Sequence, residues 1–151
     1  MDYRKEYEKW LASPALSEDE RAELRALEGN DKEIKARFYG PLEFGTAGLR
    51  GTMYTGLHNM NRHVIRWATQ GFANVIRAEG EEAMKKGVAI CMDCRNHSAE
   101  FARETACVMA ANGIHVRLFE SLRPTPELSF AVRELSLIHI SEPTRPRLIS
   151  Y

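Results

Sequence analysis

The segment with the clearest potential for chemistry is a glycine-rich stretch from Leu42 to Thr52 that also carries an arginine. Its glycines, Gly45, Gly48 and Gly51, recur at every third residue. Glycine allows a backbone to turn tightly and approach a ligand, and successive backbone N–H groups can then face an anion. Arg50 adds a planar fork of donors that suits phosphate oxygens. The segment predicts an anion-binding loop, and a plain structural turn with a surface arginine is the alternative.

The spacing of this loop excludes two common nucleotide-binding motifs. A Walker loop requires a Gly-Lys-Ser/Thr sequence, which this segment lacks. A Rossmann fingerprint requires a different glycine spacing directly after a strand, which this segment also lacks. Thr46 and Thr52 are candidate hydroxyl contacts to the anion, although loop threonines more often hydrogen-bond to their own backbone.

Cys91 and Cys94 form a Cys-x-x-Cys motif between a predicted strand and a predicted helix, which is the context of a thioredoxin-like redox pair. With His97 and Cys107 they also provide four zinc ligands, if all four converge tetrahedrally. However, strand alternation places Cys91 in the core, and Cys107 falls on the apolar side of its helix. We therefore expect structural thiols and no metal site, and a thiol-redox protein using Cys91 and Cys94 is the distant alternative.

A second candidate site follows the same strand, at the pattern Asp93-x-Arg95-x-x-Ser98. Ser98 is predicted to cap the next helix. Asp93 and Arg95 lie beyond the carboxyl end of a parallel strand, where open α/β sheets bind ligands. A pair of charges that only fixes the loop is an equal alternative. The five histidines add no catalytic pair, because none has a serine or cysteine partner at a recognisable spacing.

The elements that must position these loops begin with N-terminal helices. Aromatic and leucine side chains recur at helical spacing between Tyr3 and Leu11, and we predict that they pack in the core. Ser17 and Glu20 form a capping box that predicts a second helix. A third helix is predicted to end at Gly40, so we treat residues 1–39 as a helical extension.

The rest of the chain alternates between helices and strands. The predicted elements are a helix over residues 62–79, a strand over 88–92, a helix over 98–112, a strand over 114–119 and a helix from Pro126. Asn61 is predicted to cap the first of these helices and Val75 to lie on its apolar face. Gly71 inside this helix costs about 1 kcal/mol relative to alanine, which is tolerable if another element packs closely there. Thr125 is predicted to cap the last helix. This order predicts an α/β fold with a mixed or parallel sheet flanked by helices.

Composition limits the classes of partner. Lys plus Arg and Asp plus Glu each number 21, so the formal net charge is zero, and we expect no nucleic-acid partner. No stretch approaches the roughly 20 apolar residues of a membrane span, and the N-terminus has no apolar signal core, so no membrane partner is expected. Three cysteines cannot pair completely within one chain, which agrees with a cytoplasmic protein.

Taken together, the motifs resemble the start of an α-D-phosphohexomutase, in the phosphoglucomutase branch that carries a helical N-terminal extension. The segments that carry the resemblance are residues 44–51, 59–61, 68–71, 93–98 and 123–130, which read FGTAGLRG, NMN, ATQG, DCRNHS and RPTPELSF. The resemblance covers nearly all of residues 1–134 and implies that residues 40–135 are part of the family's first α/β domain. It also implies that three further domains belong to the full-length enzyme.

The resemblance implies an isomerase that interconverts glucose 1-phosphate and glucose 6-phosphate through a phosphoserine and a sugar bisphosphate. In such an enzyme Mg²⁺ neutralises charge on the transferred group, and a sugar bisphosphate acts as activator. By resemblance, Arg50 contacts the active-site phosphate, Thr46 and Gly48 shape its loop, and Asp93 and Arg95 are active-site neighbours. A phosphopentomutase or phosphomannomutase of the same family, and a non-catalytic phosphosugar-binding module, are the alternatives.

The chain departs from the family pattern after the helix at Pro126. The Thr-Ala-Ser-His-Asn-Pro loop, whose serine is the family's nucleophile, is not present, and residues 136–151 resemble the translation of an adapter used in sequencing libraries. We therefore expect a non-native tail over residues 136–151, magnesium ligands that lie outside this fragment, and a polypeptide that is inactive alone.

Overall fold

The computed structural model describes residues 1–45 and 48–137. The chain divides into two compact units, one comprising Met1–Val64 and the other beginning at Ile65. The expected loop contact Thr46 and most of the expected non-native tail lie outside the described residues.

Helices form the N-terminal part of the first unit: α1 (Tyr3–Leu11), α2 (Glu18–Arg25) and α3 (Asp31–Phe38). The predicted capping box is confirmed, because the Ser17 backbone N–H donates to Glu20 Oε2 at 2.8 Å and the Glu20 N–H donates to Ser17 Oγ at 3.3 Å. This box satisfies two N–H groups that a helix start otherwise leaves unpaired.

The core of the first unit confirms that the N-terminal aromatic residues are packing residues. Its buried members are Leu16, Leu24, Leu27, Ile34, Phe38 and Leu57, and Tyr3, Tyr7, Trp10 and Leu11 pack against them. Phe38 is completely buried, with the rings of Tyr7 and Trp10 edge-on to it at centroid distances of 5.7 Å. Such edge-to-face contacts add to the hydrophobic stabilisation.

A long helix, α4 (Arg62–Ala78), begins at the end of the first unit. Its predicted cap is confirmed, since Asn61 Oδ1 accepts from the N–H groups of His63 and Val64 at 3.1 and 3.0 Å. The prediction for Val75 was wrong, because this side chain is 54% exposed. Ala73 is fully buried instead, and two residues along a helix correspond to about 200°, which turns Val75 to the opposite side.

The second unit is built around two parallel strands. The short strands β1 (Phe44–Gly45) and β2 (Gly48–Leu49) belong to the first unit. The elements of the second unit after α4 are α5 (Glu81–Lys86), β3 (Val88–Ile90), α6 (Ser98–Ala111), β4 (Val116–Leu118) and α7 (Thr125–Glu134). β3 pairs with β4 in parallel, so the predicted parallel pairing is confirmed, although both strands are shorter than predicted.

Helices pack on both faces of these strands. Val88 belongs to a core with Ala73, Ile76, Ala83, Met109 and Ile114, which come largely from the helices α4, α5 and α6. Ala89, the next residue of β3, belongs to a second core with Leu128, Val132 and Leu137 from α7 and the residues after it. Successive strand residues face opposite sides, so the unit has an α/β/α arrangement, as the order of elements predicted.

Two predicted helix caps are wrong. Thr125 is the first residue of α7 and Pro124 is its N-cap, with Pro126 in the first turn, where its missing N–H breaks no helical bond. Ser98 is likewise the first residue of α6, and the cap position before it is His97 in a left-handed conformation. None of the helices in residues 1–45 and 48–137 has the length and hydrophobicity of a transmembrane segment.

Candidate phosphate-binding site

The glycine-rich segment forms a small hairpin. β1 (Phe44–Gly45) pairs antiparallel with β2 (Gly48–Leu49), with Gly45 opposite Gly48. Residues 46 and 47, between the two strands, lie outside the described residues. Gly48 has a φ of +92°, a conformation that L side chains rarely adopt. The prediction that glycine is needed for a tight turn here is therefore supported at Gly48.

Arg50 follows β2 directly and is exposed. Within the described part of the chain, its guanidinium forms no ion pair or side-chain hydrogen bond, whereas Arg37 and Arg62 of the same unit are engaged with carboxylates. Its donors are thus available to a ligand, and a planar fork of N–H groups matches phosphate oxygens.

Residues on both sides of Arg50 are fixed by the segment that follows. Before it, the Leu42 N–H donates to the Leu57 carbonyl at 3.2 Å. After it, the Met60 N–H donates to the Thr52 carbonyl at 2.9 Å. Gly51 is closely packed, since a Cβ added there would lie 3.2 Å from Leu42 Cδ1 and 3.4 Å from the Met60 nitrogen. The arginine is therefore presented by a loop with a defined backbone.

A charged cluster around the buried Arg37 contacts the segment that follows this loop, at Thr55, and the sequence patterns did not reveal it. The Arg37 side chain is only 9% exposed and pairs with Glu23 at 2.5 Å and with Glu33 at 3.0 Å. Arg37 Nη1 also donates to the Thr55 carbonyl at 3.4 Å, and the Thr55 hydroxyl donates to Glu23 at 2.5 Å. The i,i+4 spacing of Glu33 and Arg37 was the one local signal for this cluster.

Asn61 connects the loop to α4. Its Nδ2 donates to the carbonyls of Tyr54, Gly56 and Asn59 at 3.0, 2.8 and 3.3 Å, while its Oδ1 caps the helix. One side chain therefore satisfies both a helix start and three loop carbonyls. A serine cap has a single O–H donor and an ionised aspartate has none, so neither could do this.

Glu20 forms a second charged cluster in the first unit, with Arg62 Nη2 at 2.6 Å and His63 Nε2 at 3.1 Å from its carboxylate oxygens. Burial favours the neutral carboxyl, but the Ser17 backbone N–H, Arg62 and His63 stabilise the charged form and lower the pKa of Glu20 to about 2. The capping carboxylate thus also anchors the start of α4.

In the second unit, the predicted Asp93 and Arg95 form an ion pair with Nε and Oδ2 2.8 Å apart. The Arg95 backbone N–H donates to Asp93 Oδ1 at 3.1 Å, and this hydrogen bond is the main cause that lowers the pKa of Asp93. The Asp93 N–H donates to Ser98 Oγ at 3.0 Å, so Ser98 closes this loop instead of capping α6. The interpretation as a loop-fixing pair is thus supported, while the Arg95 side chain stays 83% exposed.

The cysteines do not gather into a metal centre. Among the described residues, no group of three or more His, Cys, Asp or Glu side chains is placed to hold a metal ion, and none of the three cysteines forms a disulfide. Cys91 is partly buried, whereas Cys94 and Cys107 are exposed. The prediction for Cys107 was wrong because α6 buries Ala102 and Met109, two turns apart, and Cys107 lies on the other side of the helix.

Comparison with known proteins places this loop in a family. Residues 41–141 match the model for phosphoglucomutase/phosphomannomutase, alpha/beta/alpha domain I. The chain belongs to the phosphoglucomutase/phosphomannomutase family. The α/β/α arrangement of the second unit agrees with the description of that domain, and the matched range contains Arg50, Asp93 and Arg95. It also extends to residue 141, beyond the point at which the non-native tail was expected to begin.

Individual members of this family support the assignment. The chain is 39% identical over 116 residues to human phosphopentomutase, and equally so to that of Pongo abelii; the aligned part is 73% of this chain and 19% of each relative. It is 38% identical over 107 residues to phosphoglucomutase of Staphylococcus saprophyticus, covering 71% of this chain and 19% of the relative. The chain thus spans about a fifth of the length of these relatives. No solved structure matches it.

Proposed function

We propose that this chain is the N-terminal, phosphate-contacting part of a phosphosugar mutase and that Arg50 binds a phosphate group of the sugar. The observation that carries the proposal is an exposed guanidinium without an ion pair among the described residues, at the end of a glycine-turned hairpin, inside the family-matched range. We also propose that residues 40–135 are the family domain and residues 1–39 an extension, which the start of the matched range at residue 41 supports.

In this proposal the chain supplies positioning and charge. Phosphoryl transfer depends mainly on orienting the groups and stabilising negative charge, and the Arg50 fork would do both by donating to two phosphate oxygens. Gly48 would let the backbone approach the same phosphate, and Thr46 would shape the turn. Within the second unit, we propose Asp93 and Arg95 as substrate neighbours, with Asp93 orienting the exposed Arg95 side chain.

The resemblance implies magnesium, but the described residues do not fit a magnesium site, because no cluster of three or more potential ligands occurs among them. We therefore assign no step of this chain to the metal and propose that its ligands lie elsewhere in the full-length enzyme. The sugar bisphosphate expected as activator would present Arg50 with the same phosphate chemistry as the substrate.

We propose glucose 1-phosphate and glucose 6-phosphate as the substrates, because the chain carries the N-terminal helical extension of the phosphoglucomutase branch. A phosphopentomutase is the second candidate, because relatives with that name are 39% identical to this chain. A full-length enzyme that carries this sequence separates the two candidates: faster conversion of ribose 1-phosphate than of glucose 1-phosphate would favour the second. We propose that the 151-residue chain itself is inactive, since it contains no Thr-Ala-Ser-His-Asn-Pro loop. Conversion of glucose 1-phosphate above a blank by the purified chain would contradict this.

Titration of the 151-residue chain with glucose 1-phosphate tests the role of Arg50. Loss of a charge-assisted contact through two hydrogen bonds costs about 1.5–3 kcal/mol, so Arg50→Ala is expected to raise Kd by roughly 10- to 150-fold. Arg25→Ala is the matched control, because Arg25 is exposed in the first unit and forms no ion pair among the described residues. Equal affinity of wild type and Arg50→Ala would refute the proposal.

A further inference from the structure

We propose that the buried Arg37 is a positioning residue for the phosphate site, acting through residues 55–60 to fix the loop that presents Arg50. This inference rests on the proposed function of Arg50, since it assigns a second residue to the same site. Arg37 does not touch the phosphate in this proposal, because its side chain is only 9% exposed and is occupied by protein groups.

Arg37 contacts Thr55 and its neighbours through both its side chain and its backbone. Arg37 Nη1 donates to the Thr55 carbonyl, and its guanidinium carbon lies 4.4 Å from the centre of the Tyr54 ring. The Arg37 carbonyl accepts from the His58 N–H at 2.9 Å. At Gly56 a Cβ would lie 2.9 Å from Arg37 Cβ, so the loop backbone rests directly on this residue. Both the backbone and the side chain of Arg37 therefore define the path of residues 54–58.

Backbone hydrogen bonds link residues 57 and 60 to the two ends of the hairpin that carries Arg50. Leu57 accepts from the N–H of Leu42, which precedes the hairpin, and Met60 donates to Thr52, which follows it. The start of the hairpin is thus hydrogen-bonded to the segment that Arg37 holds, and its end to Met60, two residues beyond that segment. Within the described residues, Arg50 itself has no side-chain partner that would orient it. The position of its Cα depends on these backbone anchors.

The contacts at position 37 require the geometry of an arginine side chain as well as its positive charge. Nε pairs with Glu33, while Nη1 contacts Glu23 and the Thr55 carbonyl. A lysine has one nitrogen on a flexible stem and cannot reach all three acceptors in fixed directions. Arg37→Lys therefore retains the buried charge and loses the fixed geometry.

The test is a double-mutant cycle with glucose 1-phosphate as the probe, using wild type, Arg37→Lys, Arg50→Ala and the double variant. If Arg37 acts through Arg50, Arg37→Lys raises Kd by about tenfold in the presence of Arg50 and by less than about twofold in the Arg50→Ala background. A merely structural role would raise Kd by the same factor in both backgrounds, and this result would overturn the inference.

The outcomes separate the two proposals. If Arg50→Ala has no effect, the proposed function fails; if it weakens binding while Arg37→Lys binds like wild type, only the positioning role fails. A second readout is the rate of trypsin cleavage after Arg50 relative to cleavage after Arg95. We expect the first to rise several-fold in Arg37→Lys and the second to stay unchanged. If Arg37→Lys does not fold, Glu23→Ala takes its place, because it removes the carboxylate that pairs with Arg37 Nη1 and accepts from the Thr55 hydroxyl. An unchanged cleavage rate after Arg50 in that variant would overturn the inference.

Discussion

Neutralising Glu20 should remove a pH-dependent part of the stability of the first unit. Glu20→Gln retains an acceptor for the Ser17 N–H, and glutamine also serves in capping boxes, so the substitution isolates the loss of charge. We expect lower stability at pH 7, because Arg62 and the Ser17 N–H then face a neutral amide in place of a carboxylate.

The magnitude follows from the pKa of Glu20, which the structure lowers from 4.5 to about 2. A shift of this size corresponds to about 3 kcal/mol. Arg62 is 36% exposed, so water screens part of the interaction, and we expect a loss of about 2 kcal/mol. Since the folded-state pKa is lowered, the contribution is complete above pH 4.5 and is lost as the pH falls towards 2. The difference between wild type and variant should therefore shrink over that range.

The assay is urea unfolding between pH 2 and pH 7, followed by Trp10 fluorescence. Trp10 contacts Phe38 and His63 edge-on at 5.7 and 5.6 Å, so its emission reports on the first unit. A Trp67→Phe background removes the other tryptophan, which is 59% exposed. Glu8→Gln is the matched control, because Glu8 lies on a helix of the same unit, is exposed, and forms no ion pair within the described residues.

Two results would refute this reasoning. The first is a Glu20→Gln variant as stable as the Glu8→Gln control at pH 7. The second is a loss of stability that stays constant from pH 7 to pH 2, because the lost interaction would then not depend on the charge of the carboxylate.

Three further outcomes are expected. Gly71→Ala should raise stability by about 0.5–1 kcal/mol in thermal unfolding, because Gly71 lies inside α4 with no atom within 4 Å of an added Cβ, and an unchanged or lower midpoint would contradict this. Gly87→Ala should lower stability by about 2 kcal/mol or more, since its φ is +75° and the Cβ would lie 2.1 Å from a backbone oxygen, and near-wild-type unfolding would disagree with the structure. Thiol labelling should modify Cys94 and Cys107 faster than the partly buried Cys91, and equal rates for all three would count against this arrangement.

Local signals predicted much of the fold. Ser17 with Glu20, and Asn61 before α4, cap their helices as expected, because capping depends on residues only two or three positions apart. The alternation of helix and strand predicted the parallel pairing of β3 and β4. Exact boundaries were less predictable: the helix caps at Ser98 and Thr125 are each off by one residue, because a loop hydrogen bond or a proline took precedence over side-chain capping.

The site was predictable only in part. The glycine spacing indicated the turn at Gly48 and the exposed Arg50, since both depend on local backbone properties. The cluster of Glu23, Arg37 and Thr55 was not predictable, because its members are 14 to 32 residues apart and meet only when the helices pack. Sequence patterns treat such charges as surface residues, and tertiary packing decides which of them are buried.

Contact between the Arg50 guanidinium and a sugar phosphate can be observed directly. Nitrogen-15 NMR of the arginine side chains, recorded during titration with glucose 1-phosphate, reports on this contact. If the phosphate binds Arg50, the Arg50 Nε–H resonance shifts and exchanges more slowly with water, while that of the exposed Arg25 does not change. An Arg50 resonance that stays in place while the ligand binds would contradict the central claim.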